Sequence, residues 1–327
     1  MPAAPVVPSP IDRRDALSGQ IVALLGGGGF VGRATAQALM QAGARVRIIQ
    51  RKPRAAAAVR ALGNLGQIQF VAADVTEPET LTRALAGADA VVNLVGSFAN
   101  MHAVQTEGAG AVARAATDVG AQALVHMSAI GADPASPSAY GQSKGAGEAA
   151  VSAAFPAATI LRPSIIFGRD DQFINRFAGL LAMAPVMPVF APQTLFQPVF
   201  VGDVADAVVA ALAMRGHAAG QTYELGGPRQ ISMRVLQEWI AKEIGRSPLF
   251  IDVPDIVAGA VATSTGWLPG APITRDQWLM LGRDNVVAQG AAGLAELGII
   301  ATSLEAVAQG WLSRYRRHGR FAGKAPT

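Results

Sequence analysis

Residues 21–32 read Ile-Val-Ala-Leu-Leu-Gly-Gly-Gly-Gly-Phe-Val-Gly, and an Ala-rich stretch of helical length follows. The apolar run fits a strand buried on both faces. The glycines fit a tight turn, because a residue without Cβ adopts backbone angles closed to others. The helix after them starts with N–H groups that lack intrahelical partners. Gly26, Gly29 and Gly32 have GxxGxxG spacing. Such a turn lets the backbone approach a pyrophosphate, and the helix start supplies donors and the positive end of its dipole. A flexible turn is the plainer reading of glycines alone. The strand before and the helix after favour a dinucleotide site built from Gly26, Gly29, Phe30, Val31, Gly32 and Arg33.

The same alternation continues. Apolar runs at 21–25, 46–49, 68–71, 90–94, 123–127 and 158–161 are separated by Ala-rich helical segments at 32–42, 53–62, 78–86, 106–119 and 140–155. Short apolar strands alternating with helices predict an α/β protein with a doubly wound parallel sheet. Beyond Arg162 prolines cluster, and strand-like pieces at 198–201 and 221–225 interleave with helices at 203–213 and 232–244. This predicts a smaller C-terminal cap region partly woven into the core. The expected organisation is a Pro-rich disordered arm over 1–18, a core over 19–170, a cap over 171–312 and a basic tail over 313–327.

The chain has 327 residues, of which 51% are hydrophobic and 15% charged, so it has ample material for a core. Cysteine is absent, which excludes disulfides, thiol nucleophiles and cysteine-ligated clusters. The four histidines are scattered without metal spacing, and no metal site is expected. The start of the chain lacks the basic-then-apolar order of a secretory signal. The uncharged stretch 177–202 is broken by Pro185, Pro188, Pro192 and Pro198, so no membrane helix is expected. No acidic residue follows Glu305, while Arg314, Arg316, Arg317, Arg320 and Lys324 do. The net charge of +4 therefore resides in the tail. A basic tail suits an acidic protein surface, anionic lipid or nucleic acid, and it can equally be a solvated end.

Several strand ends carry polar residues. Arg51 and Lys52 follow the second strand, where enzymes selective for NAD place an acid on the ribose. Two cations there suit a 2′-phosphate, so NADP(H) is favoured over NAD(H), with Arg33 as a further contact. Asp74 and Val75 follow the third strand, where the carboxylate can cap the next turn or accept from an adenine amino group. Asn93 follows the fourth. Ser128 follows the fifth, and Tyr140 and Lys144 stand one helical turn apart further on. A nearby ammonium lowers a phenol's pKa and can bind ribose hydroxyls, while a serine hydroxyl can hold a carbonyl.

The glycine loop, Asp74, Asn93, Ser128, Tyr140, Lys144 and the segment 161–168 together resemble the extended and atypical short-chain dehydrogenase/reductases. The resemblance implies the Rossmann sheet of that superfamily, with Pro163 and Ile166 near the nicotinamide. It narrows with Asp171-Gln172-Phe173, Phe196-Gln197-Pro198-Val199, Tyr223-Glu224-Leu225-Gly226-Gly227-Pro228, Thr274-Arg275-Asp276-Gln277 and Arg283-Asp284-Asn285-Val286-Val287. These resemble the alpha-subcomplex subunit 9 family of respiratory complex I, over nearly the whole chain after residue 18. That resemblance implies an accessory subunit that binds NADP(H) structurally, with other complex I subunits as partners. It also implies a peripheral position: the cytoplasmic face of the inner membrane in a bacterium, the matrix side in a mitochondrion. A membrane surface is a possible further partner through the basic tail, and nucleic acid is not expected. Ser128, Tyr140 and Lys144 keep open a free NADP-dependent reductase or epimerase acting on a small carbonyl or sugar nucleotide. An NADP(H)-sensing regulator is a third alternative.

Overall fold

The apolar runs of the first half form parallel strands in this computed structural model, which describes residues 15–266, 273–317 and 319. β1 (Ile21–Leu25) passes through the glycine turn into α1 (Phe30–Gln41), and β2 (Arg45–Ile49) follows. A 3-10 stretch over Pro53–Leu62 precedes β3 (Ile68–Val71), and α2 (Pro78–Leu85) leads to β4 (Ala90–Asn93). A π-helical turn, His102–Glu107, runs into α3 (Gly108–Asp118) and then β5 (Ala123–Met127). α4 (Ala139–Ala154) leads to β6 (Thr159–Pro163).

Here the chain leaves one compact unit for another. The second unit takes up β7 (Ile166–Phe167), α5 (Ile174–Met183), β8 (Val186–Phe190), β9 (Leu195–Phe196) and β10 (Val199–Phe200). The first unit then regains α6 (Val201–Ala213), α7 (Arg215–Ala218) and β11 (Thr222–Leu225). The second receives β12 (Ile231–Ser232), α8 (Met233–Glu243), β13 (Leu249–Val253), α9 (Asp255–Thr265) and α10 (Arg275–Leu281). Residues 287–301 belong to the first unit and the chain from Thr302 to the second. The switch falls at Pro163, not at residue 170, and Phe167 already lies in the second unit's core.

The first unit's seven strands are all parallel, in the order β11-β6-β5-β4-β1-β2-β3. The chain moves outward from β1 to β3, then crosses back to β4 and continues the other way. In sheets of this kind the crevice at the carboxyl ends, where the order reverses, is where ligands bind. Here the reversal lies between β1 and β4, which end in the glycine turn and Asn93. Strand residues such as Leu24, Val91, Leu124 and Leu161 are fully or almost fully buried, as covered parallel strands must be. α6 packs against α1, which presents Ala36 and Leu39 to the interior.

Among its described residues the second unit has three two-stranded sheets, β7 with β10, β9 with β12 and β8 with β13. Its core includes Phe167, Ile174, Leu181, Leu236, Ile240, Trp311 and Leu312.

Three expectations change. The arm expected over 1–18 is ordered from Asp15: Leu17 is fully buried and its N–H donates to Ala42 O at 2.9 Å. The Pro53–Leu62 helix is a 3-10 stretch that buries only Ala56 and Val59, too little apolar face to hold a regular α-helix. The tail begins inside the fold. Trp311 is buried, Arg314 Nη2 donates to Asn175 Oδ1 at 2.8 Å, and Arg316 Nε donates to Glu243 O at 3.0 Å. Arg320, Phe321 and Lys324, and residues 1–14, lie outside the described residues.

Candidate nucleotide-binding site

The glycines of the turn have different jobs. Gly26 has φ +80, which side-chain-bearing residues rarely adopt, and its N–H donates to Ile49 O at 3.0 Å. Gly32 lies against the turn's own backbone, so a Cβ there would collide with Gly26 O and Gly27. Gly29 differs: a Cβ would meet only Gly26 O, at an ordinary 3.4 Å. The fold does not require glycine at 29, whereas a phosphate approaching the backbone does. α1 starts there with no side-chain cap and no acid in its first turn. That start, in a 12-residue helix, is what an anion needs. Phe30 and Val31 are the first two residues of α1, and both are half-buried.

Gln50 at the end of β2 escaped sequence reasoning. Its Oε1 accepts from Gly28 N–H at 3.2 Å and its Nε2 donates to Lys52 O at 2.7 Å, bracing the turn against the β2 end. Arg51 and Lys52 beside it are exposed, and Arg33 is half-buried. Asp74 caps its own turn, with Oδ1 accepting from Thr76 N–H at 3.0 Å and from the Thr76 hydroxyl at 2.8 Å. Val75 is a core residue.

The second half of the site is assembled from distant segments. Ser128 is buried just beyond β5, and its Oγ has no hydrogen-bond partner among the described residues. Ser138 caps α4 by accepting from Gly141 N–H at 2.9 Å, and that fixes the helix carrying Tyr140 and Lys144. Lys144 is buried and Nζ donates to Met127 O at 3.0 Å, the residue before Ser128. Tyr140 stacks on exposed Phe98, with ring centroids 5.0 Å apart. The π-helical turn contributes Gln105, whose Nε2 donates to Ser143 Oγ at 3.1 Å while Oε1 is buried without a partner among the described residues. A Cβ on Gly96 would lie 3.5 Å from Gln105 Oε1 and 3.7 Å from Lys144 Nζ. Pro163 closes β6 in the first unit, whereas Ile166 opens β7 in the second.

Asn93 and His126 form a buried cross-strand pair. Asn93 Oδ1 accepts from Val95 N–H at 3.1 Å, so its Nδ2 faces His126 Nδ1 at 3.3 Å as donor. The imidazole proton then belongs on Nε2, which is buried without a partner among the described residues. His126 gives little signal in sequence, since it resembles any residue of a buried strand.

Burial dominates the electrostatics. It lowers the His126 pKa to about 3, helped by the positive charge of Lys144. Burial lowers Lys144 to about 8, with the negative charge of Glu148 opposing. Glu148, one turn beyond Lys144, accepts from Arg162 Nε at 2.9 Å and Nη2 at 2.6 Å. Tyr140 moves against the expectation that the ammonium lowers it. Burial of its hydroxyl end pushes it up to about 12, although the residue as a whole is only half-buried.

These residues fit a dinucleotide: an uncapped helix start behind Gly29 for the phosphates, cations after β2, and unpartnered buried polar atoms at Ser128 and Gln105. Residues 22–226 match the model of the NAD dependent epimerase/dehydratase family. The chain is 30% identical to the mitochondrial NADH dehydrogenase [ubiquinone] 1 alpha subcomplex subunit 9 of Arabidopsis thaliana, over 94% of this chain and 80% of that one. The chain belongs to the subunit 9 family. It is also 31% identical to the ceramide reductase of Caulobacter vibrioides, over 77% of this chain and 80% of that protein. In fold this subunit 9 relative matches an NADPH-dependent quinone oxidoreductase of Escherichia coli complexed with NADPH, with TM-score 0.72 at 20% identity over 89% of this chain and 99% of the other. Among the described residues no group of side chains could hold a metal, and no helix is long and apolar enough to cross a membrane.

Proposed function

We propose that this chain is an accessory subunit of respiratory NADH dehydrogenase that carries NADP(H) as a structural group. The observation that carries the assembly half is the reach of the likeness, which runs through 94% of the chain and so includes the second unit. The phosphates bind the Gly26–Gly32 turn and the start of α1. Arg51, Lys52 and Arg33 hold the 2′-phosphate, Asn93 lines the crevice, and Lys144 with Tyr140 grips the nicotinamide ribose. The subunit sits peripherally, held by the other subunits of the complex. The test is isolation from the native membrane. The subunit should co-migrate with NADH dehydrogenase on a native gel, and denaturation should release NADP(H), identified by mass. Absence from the complex removes the assembly role, and NAD in its place removes the 2′-phosphate argument. Arg51→Asp should weaken NADPH binding about tenfold to a hundredfold, as expected for a lost charge-assisted hydrogen bond.

A second reading is favoured by Ser128 Oγ, whose free bonding capacity beside the Tyr140 helix suits a carbonyl, and by the likeness to a ceramide reductase. The dinucleotide would supply a hydride. The Ser128 hydroxyl would hold the carbonyl oxygen and the Tyr140 hydroxyl would give it a proton. A phenol pushed up to about 12 stays protonated at neutral pH, so it suits reduction better than oxidation. Screening with NADPH against ketone-bearing lipids, aldehydes and quinones tests this. Turnover at or above about 1 s⁻¹ that is lost in Tyr140→Phe would replace the structural role with a catalytic one.

A further inference from the structure

Lys144 and Glu148 stand one helical turn apart on α4, and both are buried. An ammonium and a carboxylate at that spacing are neighbours on one helix face and ordinarily pair. Here they do not. Both carboxylate oxygens of Glu148 are taken by Arg162 of β6, with Nε donating to Oε1 at 2.9 Å and Nη2 to Oε2 at 2.6 Å. Lys144 Nζ donates instead to Met127 O at 3.0 Å, its one acceptor among the described residues. An ammonium carries three N–H donors, so two remain for a ligand. Gly96 leaves them room, since even a Cβ there would stand 3.7 Å from Nζ.

Arg162 is held in turn. Glu224 lies opposite it across β6 and β11, with Oε1 3.6 Å from Nη1, and Glu224 Oε2 accepts from Ala288 N–H at 2.8 Å. All three guanidinium nitrogens thus face the two carboxylates. A planar fork can grip both oxygens of one carboxylate and still meet a second, which an ammonium cannot. The charges of Lys144, Glu148, Arg162 and Glu224 alternate in sign and cancel. The other titratable groups near Lys144 are His126 on β5 and Tyr140 on α4, both neutral at pH 7. The packed π-helical turn and α3 carry His102, Glu107, Arg114 and Asp118, all exposed to solvent. Glu148 is therefore the carboxylate that acts on Lys144, and its charge opposes the effect of burial.

We propose that Arg162 is a positioning residue for the nucleotide site: it holds the Glu148 carboxylate away from Lys144 and so keeps the ammonium free for the ribose. This rests on the reading of Lys144 as a ribose ligand. It also sets the pH range of nucleotide binding. Lys144 titrates near 8, so affinity should be greatest below that pH and fall above it, as the ammonium loses its proton.

Lysine NMR of the labelled, nucleotide-free chain reads the Lys144 titration directly, and NADPH binding followed across pH 8 reads its consequence. The chain has four lysines, so the Lys144 signal is identified by its loss in Lys144→Met. Arg162→Met should raise the Lys144 midpoint by about one pH unit or more, as Glu148 becomes its partner. It should weaken NADPH binding about tenfold or more, as for a lost charge-assisted hydrogen bond. Adding Glu148→Gln should reverse both changes, whereas a residue that only braced the fold would not be rescued by deleting its partner. If Arg162→Met fails to fold, Arg162→Lys, which keeps the charge but not the fork, should show the same changes at smaller size. An unmoved midpoint in the folded variant, a moved midpoint with unchanged NADPH affinity, or a double variant as impaired as the single overturns the proposal. A wild type that binds neither NADPH nor NADH, with the midpoint moving as stated, removes the ribose reading and leaves the hold of Arg162 on Lys144 standing.

Discussion

The two parallel sheets of this molecule obey the same hydrogen-bonding rules and differ in coverage. The seven-stranded sheet of the first unit has crossover helices between its strands, and Leu24, Val91 and Val92 are fully buried. Among the described residues, the β8–β13 sheet of the second unit covers one face with its own core and leaves Val186, Leu249 and Ile251 of the other exposed. An apolar strand sequence therefore says that a strand can be buried on both sides. Whether it is depends on what else the chain brings there. The first sheet is finished by its own polypeptide, and the second is finished on one face only among the described residues.

An acidic substitution made in each sheet separates the two most strongly. Val91→Asp should prevent folding, because a buried carboxylate without a partner costs several kcal/mol, a large share of a stability of about 5–15 kcal/mol. Ile251→Asp should fold, with a thermal midpoint close to that of the wild type. Equal damage from both would mean that the β8–β13 face is not bare in solution. Circular dichroism on heating gives the answer.

Within the second unit the covered side should behave like any core. Leu236 is fully buried in α8, and Leu236→Ala should cost about 2–5 kcal/mol in denaturant unfolding. A cost near zero would show that this unit's packing is too loose to hold the sheet in place.

The buried ammonium of the first unit sharpens the contrast by pH. Lys144 titrates near 8 when folded and near 10.5 when unfolded. Between those values the unfolded chain binds more protons, so stability rises with pH, by up to about 3 kcal/mol. Below pH 8 that gain is absent. Lys144→Met should flatten the stability profile between pH 8 and 10, and an unchanged slope would place the rise elsewhere. The second unit supplies no comparably buried ammonium among its described residues. The smallest expected effect is that of Ile251→Ser, within about 0.5 kcal/mol in the isolated chain, as for most surface substitutions.

Much of the first unit is legible in its residues because the signals are local. A strand, its turn glycines and the following helix lie within a dozen positions, and the N–H groups proposed to meet a phosphate belong to the turn itself. Tyr140 and Lys144 read correctly as a helical pair because one turn separates them. Tertiary structure decided the rest. Nothing near His126 in sequence says that Asn93 stands opposite it across β4 and β5, locks its tautomer and leaves Nε2 facing the interior. Nor does local chemistry foretell that burial would raise Tyr140, since desolvation is set by the whole surrounding shell. The strands at 186–190 and 249–253 carry the apolar residues of any covered parallel strand. Hydrophobic period reports what a strand can bury, and only the assembled chain shows that Leu249 and Ile251 of this sheet stay exposed.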